Sequence, residues 1–337
     1  MAGPAPTLDE VARLAGVSRA TASRAVNGGH RVSAAAQRAV DDAVRSLGYA
    51  PNRSARALVT RRTDSVAVVV PEPDERVFGD PFFARALRGV DRVLAEREIQ
   101  LVLLLARPGA DGERVVRYLS RAAVDGVLLF SAHRDDALPA ALAAGGVPWV
   151  LGGRPWDPVG DVSSVDVDNV AGGRHATQHL VARGRRHVGH VAGPTDMTAA
   201  VDRFTGWQEA LGAAGLPDDA LAHGDFTETG GREAARRLLQ DHPDLDAVFA
   251  ASDLMARGVL HVLAETGRRV PDDVAVVGYD DLGVAAACTP PLTTMRQPVA
   301  EMAERATRLL LEQVDRGGAA ETQRLMLAPR LVARASG

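Results

Sequence analysis

The chain from residue 65 onward alternates short, continuously apolar runs with amphipathic helical segments. Parallel strands that are covered by helices on both faces have this composition, because neither face meets water. Two sets of four such strands are predicted, at residues 65–71, 99–106, 125–130 and 147–153, and at 163–167, 187–193, 247–251 and 274–280. The pattern predicts an α/β fold of two lobes, each a doubly wound parallel sheet, with ligands expected at the carboxyl ends of the strands.

The first fifty residues follow a purely helical pattern. Thr7 and Glu10 have the spacing of a capping box, and Ser18 is placed to cap a second short helix after the break at Gly16. A third amphipathic segment follows. Two short helices that are joined by a tight glycine turn and braced by a third predict an all-α helix-turn-helix head over residues 1–49.

Charge distinguishes this head from the rest of the chain. The whole chain carries a net charge of −4, yet residues 1–62 hold ten arginines against four carboxylates, so they carry +6 and the remainder −10. A basic segment on an acidic body favours a polyanionic partner for that segment. A chance bias in a short segment is the alternative.

The rest of the composition bounds the class of protein. A chain of 337 residues with 46% hydrophobic and 24% charged residues is typical of a multidomain globular protein. No apolar run approaches the roughly 20 residues of a membrane span, and the first thirty residues lack the apolar stretch of a secretory signal. The single cysteine, Cys288, excludes an intrachain disulfide. We therefore expect a cytoplasmic protein with no membrane partner.

The second predicted helix carries arginines and small side chains near one face. Arg19 and Arg24 suit bidentate pairing with guanine in the major groove, and Ala20 suits contact with a thymine methyl group. Short polar side chains nearby suit phosphate oxygens: Thr21, Ser23, Asn27 and Ser33. The alternative is a solvated helix face whose arginines serve solubility.

Residues 50–63 contain too few apolar side chains to fold alone, which predicts a hinge or linker that becomes helical only when a partner holds it. The two-lobed body then spans residues 64–337. We place lobe 1 at about 64–162 and lobe 2 at about 163–292, with the C-terminal segment crossing between them.

Polar residues follow two predicted strands of the second lobe. Asp253 and Asp280 lie at strand carboxyl ends, Arg203 begins a helix, and Phe226 lies in a nearby loop. Carboxylates and an arginine that bind hydroxyls, beside an aromatic ring, predict a sugar site. For Asp253, capping of its helix is an equal alternative.

Several segments of the chain resemble the LacI/GalR family of bacterial repressors. The stretches "TLDEVARLAGVSRATASRAVN" and "LGYAPNRSARAL" are similar, without gaps over residues 7–58, to that family's DNA-binding head and hinge. "DPFFARALRGV", "HVGHVAGP", "VGYDD" and "PPLTTMRQP" extend the resemblance over nearly the whole chain. It implies a periplasmic-binding-protein-like effector domain after the head. Ala22 and Ala25 depart from the family's bulkier residues, so we expect slightly looser packing there.

The resemblance also implies residue roles. Arg19, Ala20 and Arg24 match base-reading positions, and Thr7 joins Thr21, Ser23, Asn27 and Ser33 as phosphate contacts. The implied hinge contacts in the minor groove are Asn52, Ala55 and Leu58, of which the leucine is the intercalating wedge. The implied effector contacts are Phe83, Ser131, Arg154, Arg203, Phe226, Ser252, Asp280 and Gln297.

Met197 and Ala199 stand where well-studied members carry polar effector contacts, which disfavours a purine corepressor and leaves a sugar or sugar derivative. The resemblance implies a homodimer on a pseudo-palindromic operator in double-stranded DNA. The chain lacks the C-terminal leucine-repeat helix of the family's tetramers, so a dimer is expected. Together these features predict a transcription repressor whose operator affinity a small-molecule effector controls.

Other functions have weaker support. No P-loop, strand-linked G-x-G-x-x-G or G-x-S-x-G motif occurs, so we expect neither an enzyme nor a cofactor. Four histidines lie close in sequence without a recognisable ligand motif, so no metal is expected: His175, His179, His187 and His190. A sugar-binding solute receptor without gene regulation is the alternative, and the basic head argues against it.

Overall fold

A computed structural model describes residues 6–26, 32–49, 62–107, 111–119, 124–156, 162–317 and 321–337. The chain divides into two compact units, Met1–Thr63 and Asp64–Gly337, which we call the head and the body. Within the described ranges, no helix combines the length and the apolar character needed to cross a bilayer.

The head contains helices α1 (Leu8–Leu14), α2 (Arg19–Val26) and α3 (Ala34–Leu47). The predicted capping box is present: the Glu10 backbone donates to Thr7 Oγ1 at 3.3 Å, and the Thr7 backbone donates to Glu10 Oε2 at 2.7 Å. The buried core consists of six small side chains, Val11, Ala12, Ala22, Ala25, Val40 and Ala43. Ala22 is 0% exposed and Ala25 4% exposed, so the looser packing expected there does not expose either alanine to solvent.

The body alternates strands and helices. In chain order they are β1 (Ser65–Val70), α4 (Asp74–Gly79), α5 (Pro81–Ala95), β2 (Gln100–Leu105), α6 (Gly112–Leu119), β3 (Gly126–Phe130), α7 (Leu138–Ala144), β4 (Trp149–Gly152), β5 (Ser163–Val167), α8 (Asn169–Ala182), β6 (Val188–Ala192), α9 (Thr198–Ala214), β7 (Leu221–His223), α10 (Glu228–Asp241), β8 (Ala247–Ala250), α11 (Asp253–Glu265), β9 (Ala275–Asp280), α12 (Val284–Ala287), β10 (Thr293–Arg296), α13 (Val299–Asp315), β11 (Arg324–Leu327) and β12 (Arg330–Val332).

Lobe 1 is built on a parallel sheet of order β11-β5-β4-β3-β1-β2. Successive strand residues point to opposite faces, so Val66 and Val68 pack with α5 and α13, whereas Ala67 and Val69 pack with α6 and α7. Burial on both faces explains why β1, β3 and β4 are continuously apolar.

Lobe 2 has a sheet of order β12-β10-β9-β8-β6-β7, in which β12 alone runs antiparallel to its neighbour among the described pairings. Helices α8 and α9 pack together on one face, and α10 and α11 pack together on the other. Each lobe is therefore a three-layer doubly wound unit.

The chain passes between the lobes three times, after β5, after β10 and after β11. Strand β5 lies between β4 and β11 in lobe 1, so the predicted boundary at residues 162/163 is wrong by one strand. The reason is physical: the sequence of a buried strand specifies its apolar character, but backbone pairing with its neighbours specifies its sheet. The predicted return of the C-terminal segment is present, as α13 and β11 complete lobe 1.

Candidate functional site

The carboxyl ends of the strands of both lobes border a cavity of about 780 Å³, its open mouth included. Among the predicted effector contacts, those that line it are Phe83, Ser131, Arg154, Arg203, Phe226, Ser252, Asp280 and Gln297.

Arg203, on α9, provides a buried positive charge in the cavity wall. Its Nε donates to Asn169 Oδ1 at 3.0 Å, and its Nη1 donates to the Ala251 carbonyl at 2.6 Å. Its guanidinium carbon lies 3.8 Å from the centre of the Tyr279 ring, a cation–π contact. Because the side chain is only 5% exposed, these contacts hold the cation in one orientation before any ligand arrives.

Two buried carboxyl groups border the same space. Burial raises the pKa of Asp280 to about 7, against the opposing effect of the Arg203 charge. Gln297 Nε2 donates to Asp280 Oδ1. Burial also raises the pKa of Asp166, at the end of β5, to about 6. Carboxyl groups of this kind accept hydrogen bonds from ligand hydroxyls when ionised.

Two phenylalanine rings supply apolar surface. Phe83 is 2% and Phe226 5% exposed, and the Arg76 and Arg203 guanidiniums lie 5.1 and 5.7 Å from the centre of the Phe226 ring. Gly193, after β6, makes room for this ring, since a Cβ there would lie 2.4 Å from it. The cavity thus combines aromatic faces with fixed charges.

Ion pairs connect the two lobes at the cavity. Arg154 of lobe 1 donates to both carboxylate oxygens of Asp202 in lobe 2, at 2.7 and 2.6 Å. His133 of lobe 1 lies with Nδ1 2.8 Å from Asp196 Oδ2 of lobe 2 and with Nε2 3.2 Å from Glu72 Oε1. The hydrogen bond to Glu72 raises the pKa of His133 despite partial burial. These pairs stabilise the spacing of the lobes seen in this structure.

Asp253 neither lines the cavity nor caps α11, so the structure supports neither of the two roles predicted for it. Its carboxylate accepts from Thr294 Oγ1 at 2.6 Å and from the Asp281 backbone at 2.7 Å, so it joins β10 to the end of β9. The preceding Ser252 caps α11 by accepting from the Met255 backbone at 3.2 Å. Asp253 is the first residue of α11, one position after the cap, and its carboxylate oxygens accept hydrogen bonds from β10 and from the end of β9 instead of from the helix.

Several lining residues were not anticipated from the sequence, namely Arg76, Asp80, Asp166 and Asn169. For Asp166 a usable signal exists, because it lies near the end of the buried strand β5 as Asp280 does at the end of β9. Arg76 and Asp80 lie at α4 and its end, and nothing in the local sequence indicates that this short helix borders the cavity.

In the head, α2 presents its predicted base-reading residues to solvent: Arg19, Ala20 and Arg24 are exposed. Ser18 Oγ accepts from the Thr21 backbone at 3.1 Å and so caps α2 as predicted. Of the predicted phosphate contacts, Thr7 and Ser33 also cap helices, and Ser23 is half-buried on α2. The predicted contacts that lie outside the described residues are Asn27, Asn52, Ala55 and Leu58.

Comparison with known proteins agrees with both units. Residues 7–52 match the family described as bacterial regulatory proteins, lacI family, and residues 177–337 match the periplasmic binding protein-like domain. The HTH-type transcriptional regulator CelR of Thermobifida fusca is 51% identical over 335 residues, which are 98% of this chain and of that protein.

Two solved structures extend the similarity. A transcriptional regulator CelR-cellobiose complex has a TM-score of 0.79 and 49% identity, covering 98% of this chain and 100% of that one. The lac repressor dimer bound to operator and the anti-inducer ONPF has a TM-score of 0.86 at 28% identity, covering 99% of each chain.

These similarities span the head and the body together, and the resemblance and fold class predicted from the sequence are confirmed. The solute-receptor alternative is not favoured, because the relatives are DNA-binding transcriptional regulators. This chain belongs to the lacI family of bacterial transcriptional regulators.

Proposed function

We propose that this protein is a cytoplasmic transcription repressor whose operator affinity is lowered by a β-linked glucose disaccharide of the cellobiose class bound in the cavity. The observation that carries the proposal is the cavity itself, with fixed polar groups beside two aromatic rings, in a chain 49% identical to the CelR-cellobiose complex. Such a combination suits a pyranose, which has hydroxyls around its edge and C–H groups on its faces.

Each part of the cavity has a role in this proposal. Asp280 and Asp166 accept hydrogen bonds from sugar hydroxyls, and Arg203 and Asn169 donate to sugar oxygens. Phe83 and Phe226 cover the apolar faces. The remaining predicted contacts, Ser131, Arg154, Ser252 and Gln297, complete the lining. Because these residues come from both lobes, a sugar that touches both favours their closed arrangement.

The head provides DNA recognition in the same proposal. Arg19, Ala20 and Arg24 read base edges in the major groove, and short polar residues bind phosphates: Thr7, Thr21, Ser23, Asn27 and Ser33. The hinge over residues 50–63 contributes Asn52, Ala55 and Leu58 to the minor groove. Two heads of a homodimer then recognise a pseudo-palindromic operator.

Control of DNA binding requires that the sugar binds more tightly to the conformation with low operator affinity. The coupling free energy in such systems is typically about 1–3 kcal/mol, a change of roughly 5- to 150-fold in operator affinity. By reciprocity, operator DNA weakens sugar binding by the same factor.

The test is fluorescence anisotropy of the full chain on labelled DNA from its own upstream region at fixed salt. Cellobiose is compared with maltose, which has the same two glucose units in an α linkage, and with glucose and ribose. We expect tight binding to one palindrome, weakened by cellobiose and not by maltose. Equal responses to both disaccharides, or to none, would contradict the assignment of the sugar. Absence of any sequence preference would contradict DNA recognition by the head.

A further inference from the structure

A second polar cluster lies at the opposite end of the lobe 2 sheet from the cavity. His187 directly precedes β6, Asp219 lies two residues before β7, and His242 ends α10. One ring nitrogen of each histidine and one carboxylate oxygen of Asp219 lie within 4.8 Å of one another. The cavity lies at the other, carboxyl end of β6, and the two ends of this five-residue strand are about 16 Å apart.

The two ring nitrogens of His187 have different surroundings. Its Nδ1 lies 3.1 Å from Asp244 Oδ2, while its Nε2 is buried and has no hydrogen-bond partner. Histidines that bind metals commonly give one ring N–H to a carboxylate, which leaves the other nitrogen with its lone pair free for the ion. A buried nitrogen without a partner is otherwise costly.

The other two groups are uncommitted. Within the described part of the chain, neither the His242 ring nor the Asp219 carboxylate has a hydrogen-bond or ion-pair partner. The two imidazole rings lie edge to face, with centroids 5.5 Å apart. A tetrahedral ion needs ligand atoms about 3.3 Å apart, so they must approach by up to about 1.5 Å. Asp219 is exposed in a loop, where side-chain rotation can supply that movement.

Charges of both signs surround the cluster: Asp218, Asp241, Asp244 and Asp246 lie near it in sequence, as do Arg185 and Arg186, and Arg268 donates to the Pro243 carbonyl at 2.8 Å. The ligand set therefore decides the kind of ion. Two imidazoles with one carboxylate select Zn²⁺, Co²⁺ or Ni²⁺ over Mg²⁺ or Ca²⁺, which prefer oxygen ligands alone. We propose that His187, Asp219 and His242 form a binding site for a zinc-class divalent cation, with Asp244 orienting His187. This departs from the expectation of no metal drawn from the sequence.

The site joins the start of β6, the approach to β7 and the end of α10, so occupancy stabilises lobe 2 in this proposal. An ion that binds the folded chain but not the unfolded one raises the free energy of unfolding in proportion to the logarithm of its concentration over Kd.

Co²⁺ is the probe for the first experiment, added to the full chain and followed by its visible d–d absorption, with calorimetric titration of Zn²⁺ in parallel. We expect one equivalent to bind. His187→Gln and His242→Gln each weaken binding by more than about tenfold, and Asp244→Asn weakens it by about 10- to 100-fold. His175→Gln is the matched control, because His175 is an exposed histidine of the same lobe, and it leaves the affinity unchanged.

Asp219→Asn keeps the test decisive if a histidine variant does not fold, since its side chain is exposed. The melting temperature supplies a second readout, because Zn²⁺ raises it in the unaltered chain and not in these variants, and Mg²⁺ raises it in none. The proposal is overturned if the unaltered chain binds no Co²⁺ stoichiometrically. It is equally overturned if His175→Gln weakens binding as much as His242→Gln does.

Discussion

The DNA-binding helix and the effector cavity differ in where they keep their functional groups. On α2, Arg19 and Arg24 are exposed above a core of six small side chains. In the cavity, Arg203 and Asp280 are 5% and 9% exposed and are held by neighbours from several elements. The first site is a helix surface, whereas the second is produced by packing.

Substitutions at the two sites are therefore expected to have different effects on the folded protein. An exposed arginine has few intramolecular partners, so its removal affects the DNA partner and little else. A buried carboxyl group already has a shifted pKa and fixed hydrogen bonds, so its alteration changes a local network. Variants in the two regions should therefore separate DNA binding from sugar binding.

The largest effect is expected from Asp280→Asn in the cavity. This isosteric change removes a charged acceptor, and hydrogen bonds to charged groups contribute about 1.5–3 kcal/mol. We expect cellobiose affinity to fall by that amount in a calorimetric titration, with operator affinity in the absence of sugar preserved. Asp272→Asn, at an exposed carboxylate of the same lobe, is the control. Unchanged cellobiose affinity would remove Asp280 from the site.

The reciprocal change is Arg24→Ala on α2. Loss of a base contact is expected to weaken operator binding by about 1–3 kcal/mol and to reduce discrimination against random DNA, with cellobiose affinity unaltered. Arg13→Ala removes an equal charge from α1 and should weaken binding to operator and random DNA alike. Anisotropy on both DNAs measures the ratio. If the two variants behave identically, Arg24 contributes charge and not base recognition.

Sugar binding in the buried cavity is expected to depend on pH, because two of its carboxyl groups have raised pKa values. A sugar that binds the ionised carboxylates loses affinity as the pH falls through their pKa values, about 7 for Asp280 and about 6 for Asp166. Affinity is therefore expected to be highest above pH 8 and to fall about twentyfold by pH 6, roughly tenfold through Asp280 and twofold through Asp166, which is about 1.8 kcal/mol. Calorimetry at both pH values measures this. In Asp280→Asn the pH dependence of cellobiose affinity should be smaller. An affinity that does not change with pH in the unaltered chain would contradict sugar binding by ionised carboxylates.

The smallest effect concerns the contact between lobes. His133→Asn removes the contact with Asp196 that joins the lobes, and because the Asp196 side chain is 47% exposed, solvent screening limits its contribution to about 1 kcal/mol. Cellobiose affinity is expected to fall by up to about fivefold through a weaker closed arrangement, although His133 does not line the cavity. His175→Asn, at an exposed histidine of lobe 2, should have no effect. A loss as large as that of Asp280→Asn would mean that His133 touches the sugar.

Much of this protein could be predicted from local sequence. The capping box of Thr7, the cap at Ser18 and the apolar strands β1 to β6 depend on neighbouring residues, and the structure contains all of them. The sequence does not predict β7 and β10, because LAH and TTMR are not continuous apolar runs, unlike the equally short β4 and β8. Most cavity residues were found through family resemblance, whereas Asp166 and Asn169 were not.

The sequence by itself determined the helical head, the alternation of strands and helices, and the charge separation, since propensity, capping and periodicity act within a few residues of one another. Only the tertiary structure decided that β5 belongs to lobe 1, that Asp253 lies behind the cavity, and that His187, Asp219 and His242 meet. Strand pairing and burial join residues far apart in the chain. The pKa of Asp280 follows from that burial, which no local pattern contains.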